Sequence, residues 1–183
     1  MRCFIAIPCP DEVKKKLAVV QDEIKNFGSI KMVEKQNIHM TLNFLGDVEE
    51  PCIQKLSESL RLLDKCSSFA VTLKGVGVFP NTSYVRVVWA GVEDHAFTND
   101  LQRKIEDSVT KLGFNREKDF HAHYTVARVR QLADKSGLKD YLRFNANRVF
   151  GSYTVEKVVL MESKLSPKGP SYSPVAEFKL RPP

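Results

Sequence analysis

The 183 residues contain no apolar run long enough to cross a membrane or to serve as the core of a secretory leader. The stretch from Cys3 to Pro8 is cut short by charge at Asp11 and Glu12, so the expected location is the cytoplasm, with no membrane partner. Cysteine is scarce too. Cys3, Cys9, Cys52 and Cys66 form no Cys-x-x-Cys pair and fall below the density of a disulfide-stapled secreted domain, so reduced thiols are expected. Neither Gly-x-Gly-x-x-Gly nor a Walker loop is present, which removes the usual grounds for expecting a dinucleotide or a phosphate cradled on a glycine-rich turn.

What remains is an ordinary globular composition, 43% hydrophobic and 27% charged, enough for one core. Residues 1–183 are accordingly expected to form a single two-lobed domain, and a monomer. Lys and Arg exceed Asp and Glu by 28 to 22, a formal charge of +6, which favours polyanions such as nucleic acid as partners. Part of that excess, Lys14, Lys15 and Lys16, reads first as a solvated helix face.

Residues Cys3 to Ile7 read as a short buried strand. A helix capped by Asp11 follows, with Val13, Leu17, Val20, Ile24 and Phe27 as its apolar stripe and Gly28 as its stop. Residues 38 to 45 alternate, with Ile38, Met40, Leu42 and Phe44 on an inward face and His39, Thr41, Asn43 and Leu45 on the other. A second helix is expected from about Glu49, carrying Ile53, Leu56, Leu60 and Leu63. A hairpin of Phe69–Phe79 and Tyr84–Gly91 and a third helix, Asp94 to Leu112, with Phe97, Leu101, Ile105 and Val109 as its stripe and Gly113 as its stop, come next. Further strands are expected at His123–Val129, within 149–161 and at Val175–Leu180. Asp134 to Leu142 reads as a short helix or loop, and Ser166-Pro167-Lys168-Gly169-Pro170 as an irregular loop. Strands and helices without steady βαβ alternation indicate an α+β fold.

Of four histidines, two occur in the same setting, His39-Met40-Thr41-Leu42 and His123-Tyr124-Thr125-Val126, 84 positions apart. On a strand, alternation places the imidazole and the hydroxyl two residues on side by side. Two such strands facing one another would gather two imidazoles and two hydroxyls. A cyclic phosphodiester needs that set: a base for water, an acid for the leaving alkoxide, and donors for the non-bridging oxygens. Imidazole titrates near neutrality and serves as either acid or base. A single His-x-Thr triplet is common by chance; two in strand context carry more weight.

The segment Asn37-Ile38-His39-Met40-Thr41-Leu42-Asn43-Phe44-Leu45-Gly46 resembles the first motif of the two-histidine phosphoesterases, and Phe120-His121-Ala122-His123-Tyr124-Thr125-Val126-Ala127-Arg128 the second. Met1–Ile7, Val85–Gly91 and Glu162–Leu165 with Gly169 and Tyr172 are similar to the RNA 2',3'-cyclic phosphodiesterase branch, historically called 2'-5' RNA ligase. The resemblance implies a bilobal α+β fold, with two pseudo-symmetric, mostly antiparallel sheets lining a central cleft and helices packed outside. It also implies hydrolysis of a terminal RNA 2',3'-cyclic phosphate to a 2'-phosphate without a metal or cofactor, and ligation in reverse. The partners would be RNA ends or nucleotides carrying the cyclic phosphate. His39 would be the proton donor and His123 the proton acceptor, with Thr41 and Thr125 binding phosphate.

One departure is visible: Ala122 stands where proline commonly precedes the second histidine, with His121 before it. A metal held by His121 and His123 would have only two ligands and no nearby Cys or carboxylate set, short of a site. His121 is therefore expected to be a neighbour of His123 at the strand edge, and His95 a surface residue at a helix start. Arg128 matches the motif, although strict alternation from His123 puts it on the opposite face; Arg130 is the other candidate, and a bulge or strand end would decide. Tyr172 would either stack on a base or pack on the lobe edge. The competing class is a non-catalytic nucleotide- or RNA-binding module using the same cleft.

Overall fold

The computed structural model describes all 183 residues. Nine strands and four α-helices are arranged as two antiparallel sheets with helices packed against them. The strands are β1 (Arg2–Pro8), β2 (Gly28–Met32), β3 (His39–Asp47), β4 (Phe69–Asn81), β5 (Tyr84–Val92), β6 (His123–Leu132), β7 (Val149–Val155), β8 (Lys157–Ser166) and β9 (Gly169–Lys179). The helices are α1 (Asp11–Ile24), α2 (Glu50–Ser59), α3 (Ala96–Thr110) and α4 (Lys135–Phe144). One sheet runs β3-β1-β8-β9 and the other β2-β6-β5-β4-β7. The last two strands of the chain thus complete the first sheet, and β2, from the first half, edges the second.

The helical stripes are as periodicity requires. Val13, Leu17, Val20 and Ile24 of α1 are all buried, each contributing about 1.5–3 kcal/mol of apolar transfer. Leu56, Leu60 and Leu63 run from α2 into a short 3-10 segment, Leu60–Lys65, and Leu101, Ile105 and Val109 line α3. Asp134 caps α4, accepting from the Gly137 amide at 2.8 Å. Asp11 is no such cap: Pro10 holds that position and no side chain bonds there.

Four further sequence expectations need correction. Gly28 does not stop α1 in a left-handed turn; its φ of 164° is extended, and it opens β2, a strand too short and too polar to announce itself. A β-carbon there would collide with the Gln131 carbonyl oxygen, so glycine lets β2 lie against β6. Gly113, by contrast, takes φ +92° after α3, where glycine is the natural stop. Residues 166–170 form no irregular loop: β8 runs to Ser166 and β9 starts at Gly169, leaving a two-residue turn at Pro167-Lys168. Phe97 is an outer rather than an inner member of the α3 stripe, 62% exposed and stacked on Phe69.

The fourth correction concerns β3 and bears on the site. Ile5 pairs with Asn43 and Ala6 with Thr41, so Leu42 is an extra residue, a bulge. Leu42 and Asn43 are consequently both buried, and the inward-outward parity inverts. Phe44, expected in the core, is 66% exposed, while Leu45 turns inward. β6 repeats the device. Val88 pairs with Ala127 and Trp89 with Thr125, so Val126 is the extra residue, and Val126 and Ala127 are both buried.

The two sheets are tied together below the site. The buried Tyr124 of β6 shares a short hydrogen bond with Tyr153 of β7, whose hydroxyl in turn reaches the Pro8 carbonyl of β1 at 3.4 Å. Burial pushes both phenols well above their ordinary range, so they remain neutral donors.

Candidate active site

A cavity of about 740 Å³ opens between the sheets, and His39, Thr41, His123, Thr125, Arg128 and Tyr172 all line it. The four His-x-Thr side chains therefore converge as their alternation requires, since each triplet precedes its bulge. Arg128 reaches the cavity because the extra residue at Val126 restores it to the face of Thr125. Arg130 is exposed and does not line the cavity.

His39 lies on the edge strand β3 in an apolar wall. Its ring stacks on Phe4 at 4.9 Å and meets the edge of Tyr172 at 5.2 Å. Tyr172 also contacts Phe4, at 5.0 Å, and so closes this wall as a packed lobe-edge residue. His39 Nε2 is 3.0 Å from Thr41 Oγ1, which leaves Nδ1 for the backbone hydrogen bond at Asn37. In the neutral ring, Nδ1–H then donates to the Asn37 carbonyl and Nε2 accepts from the Thr41 hydroxyl. Burial among these rings pushes the His39 pKa down to about 4, opposed by the Asn37 bond.

His123 occupies the inner strand β6 between two aromatics, edge-on to Phe79 at 4.9 Å and tilted against Trp89 at 6.2 Å. Its Nδ1–H donates to the His121 carbonyl at 2.6 Å, which fixes the tautomer and leaves the Nε2 lone pair open. Its pKa also lies below the usual value, through burial first, with His121 and Arg128 adding to the effect against the pull of the His121 carbonyl bond. His121 precedes β6, exposed and lining the cavity, its ring 4.8 Å from Trp89 and 5.7 Å from His95 at the start of α3. No three His, Cys, Asp or Glu side chains gather into a set that would hold a metal ion.

Several functional groups escaped the sequence reading. Phe44, turned outward by the bulge, presents its ring to the cavity. Each bulge is also held by a side chain from a distant element. Gln21 of α1 donates from Nε2 to the Val126 and Val33 carbonyls, both at 2.8 Å, and so braces the bulged residue of β6, whose carbonyl also accepts from the Val33 amide at 2.9 Å. On β3 the Phe44 amide donates to Glu117 Oε1 at 2.8 Å. The loop bearing Glu117 is anchored in turn by buried Glu106, which accepts from the Glu117 amide at 2.7 Å and pairs with Arg116 at 3.1 Å. Residue spacing carries no trace of these long-range contacts.

The model of the LigT-like phosphoesterase family matches residues 7–89 and 95–172. An RNA 2',3'-cyclic phosphodiesterase of Methanocaldococcus jannaschii is 36% identical over 97% of this chain and 100% of its own length. One from Thermotoga maritima is 34% identical over 97% of this chain and 94% of its own. Among solved structures, a Thermus thermophilus protein superposes with a TM-score of 0.82 at 31% identity, covering 100% of this chain and 99% of that one. With that match running through both His-x-Thr strands and nearly every element between them, the chain belongs to the LigT-like phosphoesterases.

Proposed function

We propose that this protein is an RNA 2',3'-cyclic phosphodiesterase that opens terminal cyclic phosphates to 2'-phosphates, with His39 as proton donor and His123 as proton acceptor. The observation that carries this is the convergence of two imidazoles, from strands 84 residues apart, on one cavity together with two threonine hydroxyls and Arg128. Relatives that cover the same length bear the name of this activity.

In the reaction, water attacks phosphorus and gives its proton to His123 Nε2, the open lone pair of the site. The bond from phosphorus to the 3' oxygen breaks, and His39 protonates that oxygen, leaving a 2'-phosphate and a 3'-hydroxyl. Thr41 and Thr125 donate to the non-bridging oxygens, and Arg128 balances their charge. The base of the terminal nucleoside lies against Phe44, whose exposed ring offers a stacking surface. With a 5'-hydroxyl of a second RNA in place of water, the same groups would form a 2'-5' linkage: the hydroxyl attacks phosphorus and gives its proton to His123, the bond to the 3' oxygen breaks, and His39 protonates that oxygen.

The test is incubation with an oligoribonucleotide ending in a 2',3'-cyclic phosphate, in the presence of chelator. A 2'-phosphate product is expected, and His39→Ala and His123→Ala are each expected to slow turnover by about 10²–10⁴-fold, as acid-base residues do. Full activity in either variant, or a 3'-phosphate product, would refute the assignment. Binding by the wild-type protein without any turnover would return it to the class of nucleotide-binding modules.

A further inference from the structure

Lys31 of β2 and Arg128 of β6 are direct cross-strand partners, and both line the cavity. Facing partners lie about 5 Å apart, and like charges so placed repel. The β8–β9 hairpin brings a third cation to the same rim. A β-carbon on Gly169 would lie 3.5 Å from Lys31 Nζ, so the ammonium rests against the hairpin tip, beside Lys168 at the turn. Asn37 Nδ2 donates to the Pro170 carbonyl at 3.0 Å and holds the hairpin over the cleft.

None of these three cations is in an ion pair. Three acids also line the cavity, Glu34, Glu117 and Asp119, and none pairs with these cations; Glu34 accepts from Gln36 Nε2 at 2.6 Å and Glu117 from the Phe44 amide at 2.8 Å. A sheet edge has no structural reason to set Lys31 opposite Arg128 and then bring Lys168 to the same place. The arrangement is repulsive in the free protein and becomes favourable when an anion lies among them. Position in the sheet says which anion. Across the bulge Thr125 and Arg128 face Trp89 and Val87, two residues apart on β5 and about 7 Å at the rise of a strand, so Arg128 still reaches the reacting phosphate. Lys31 stands one strand over, on β2, with its ammonium turned to the β8–β9 hairpin, so Lys31 and Lys168 face the neighbouring phosphate rather than the same one.

Building on the cyclic phosphodiesterase reading, we infer that Lys31 and Lys168, beside Arg128, form a second subsite that takes the phosphodiester one step upstream of the reacting end, making an oligonucleotide rather than a mononucleotide the preferred substrate.

The experiment compares kcat/KM for a nucleoside 2',3'-cyclic phosphate with that for a short RNA of the same terminal nucleotide, in wild type and in Lys31→Ala/Lys168→Ala. The double variant is expected to lose about tenfold on the RNA, with a log-log salt slope shallower by about one, and nothing on the mononucleotide. Equal losses on both substrates, or none on either, would overturn the subsite. Equilibrium binding of the RNA without its cyclic phosphate, read by fluorescence anisotropy, separates the two claims. Should wild type open no cyclic phosphate, the catalytic reading fails, while a salt-sensitive affinity lost in the double variant still upholds the subsite. A nucleoside triphosphate that competes as well as the RNA, and loses that ability in the variant, would assign the lysines to a polyphosphate and refute the upstream phosphodiester.

Discussion

The strands β3 and β6 carry the same triplet and the same bulge one residue after it, yet they build two different halves of a site. On β3 the residue after the inverted parity is Phe44; on β6 the equivalent position is Arg128. His39 is sealed between Phe4 and Tyr172 with its Nε2 already paired to Thr41, whereas His123 keeps an open Nε2 and has Arg128 close enough to depress its pKa. A duplicated local pattern thus supplies geometry twice, and chemistry comes from what each copy packs against. The apolar half suits a nucleoside and a proton donor; the cationic half suits phosphate and a base.

The sharpest way to break the comparison is to remove the unlike residues at the equivalent positions. Arg128→Ala is expected to cost about 10²–10³ in kcat/KM, the loss seen when a transition-state donor is removed. Phe44→Ala is expected to cost about tenfold, the worth of one base-aromatic stack, and to appear mainly in KM. Steady-state kinetics on one cyclic-phosphate substrate measures both. Equal effects on kcat from the two changes would mean that the halves are not divided into phosphate and base sides.

The protonation of the two rings sharpens it further. A proton donor must be charged before it acts, but in the free protein His39 holds its proton only below about pH 4. Near neutrality both rings are neutral: His123 is ready as a base and His39 is not yet an acid. The bound phosphate anion must raise the His39 pKa, so binding of inorganic phosphate at pH 7 is expected to take up a proton, measurable by calorimetry in buffers of different ionisation enthalpy. For the same reason kcat/KM is expected to fall as pH rises above 6.5, by up to about tenfold per unit. Stability moves the other way. The unfolded His39 binds its proton near pH 6.5 and the folded one only near 4, so that part of the stability is complete above 6.5 and is lost as pH falls through this window. His39→Gln is expected to flatten the loss, as read from denaturation midpoints at pH 7 and pH 5.

Much of this is legible in the residues, and the gaps have physical causes. The triplets are readable because alternation is strict up to Thr41 and Thr125, and the helical stripes of α1, α2 and α3 because each buries one face. Beyond the threonines alternation misleads on β3, since nothing in Leu42-Asn43-Phe44 marks a bulge: the extra residue is decided by the pairing with Ile5 and Ala6. That is why periodicity places Phe44 in the core while its counterpart Arg128, too polar to bury, stays undecided against Arg130. β2 escapes detection because its five residues alternate between half-buried and exposed, with none fully buried. The turn at Pro167-Lys168 is hidden because the glycine and second proline that suggest a loop serve as the first residues of a strand. The unpaired rim cations depend on the register of β2 against β6, which composition does not encode.

The smallest expected effects come from the clamps, and they show whether the two bulges are equally dependent on outside help. A bulge leaves backbone groups outside the ladder, and an unmet buried group costs about 1–3 kcal/mol. Gln21 meets that need from within a helix at the Val33 carbonyl just past β2, and adds a second donor to the Val126 carbonyl that the Val33 amide already serves. Glu117 meets it on β3 from a loop, and only because Glu106 holds the loop. The two clamps therefore differ in rigidity. Gln21→Ala removes both donors at a partly buried site and is expected to lower global stability by about 1–2 kcal/mol with kcat little changed. Glu117→Gln keeps an acceptor for the Phe44 amide but weakens it, so a change below about 1 kcal/mol is expected, with KM rising because Phe44 is less firmly placed. Urea denaturation and steady-state kinetics on the same preparations separate the two. A loss of kcat in Gln21→Ala as large as that in Arg128→Ala would show that the β6 bulge does more than carry Arg128 to the cleft face, and that the placement of His123 rests on it too.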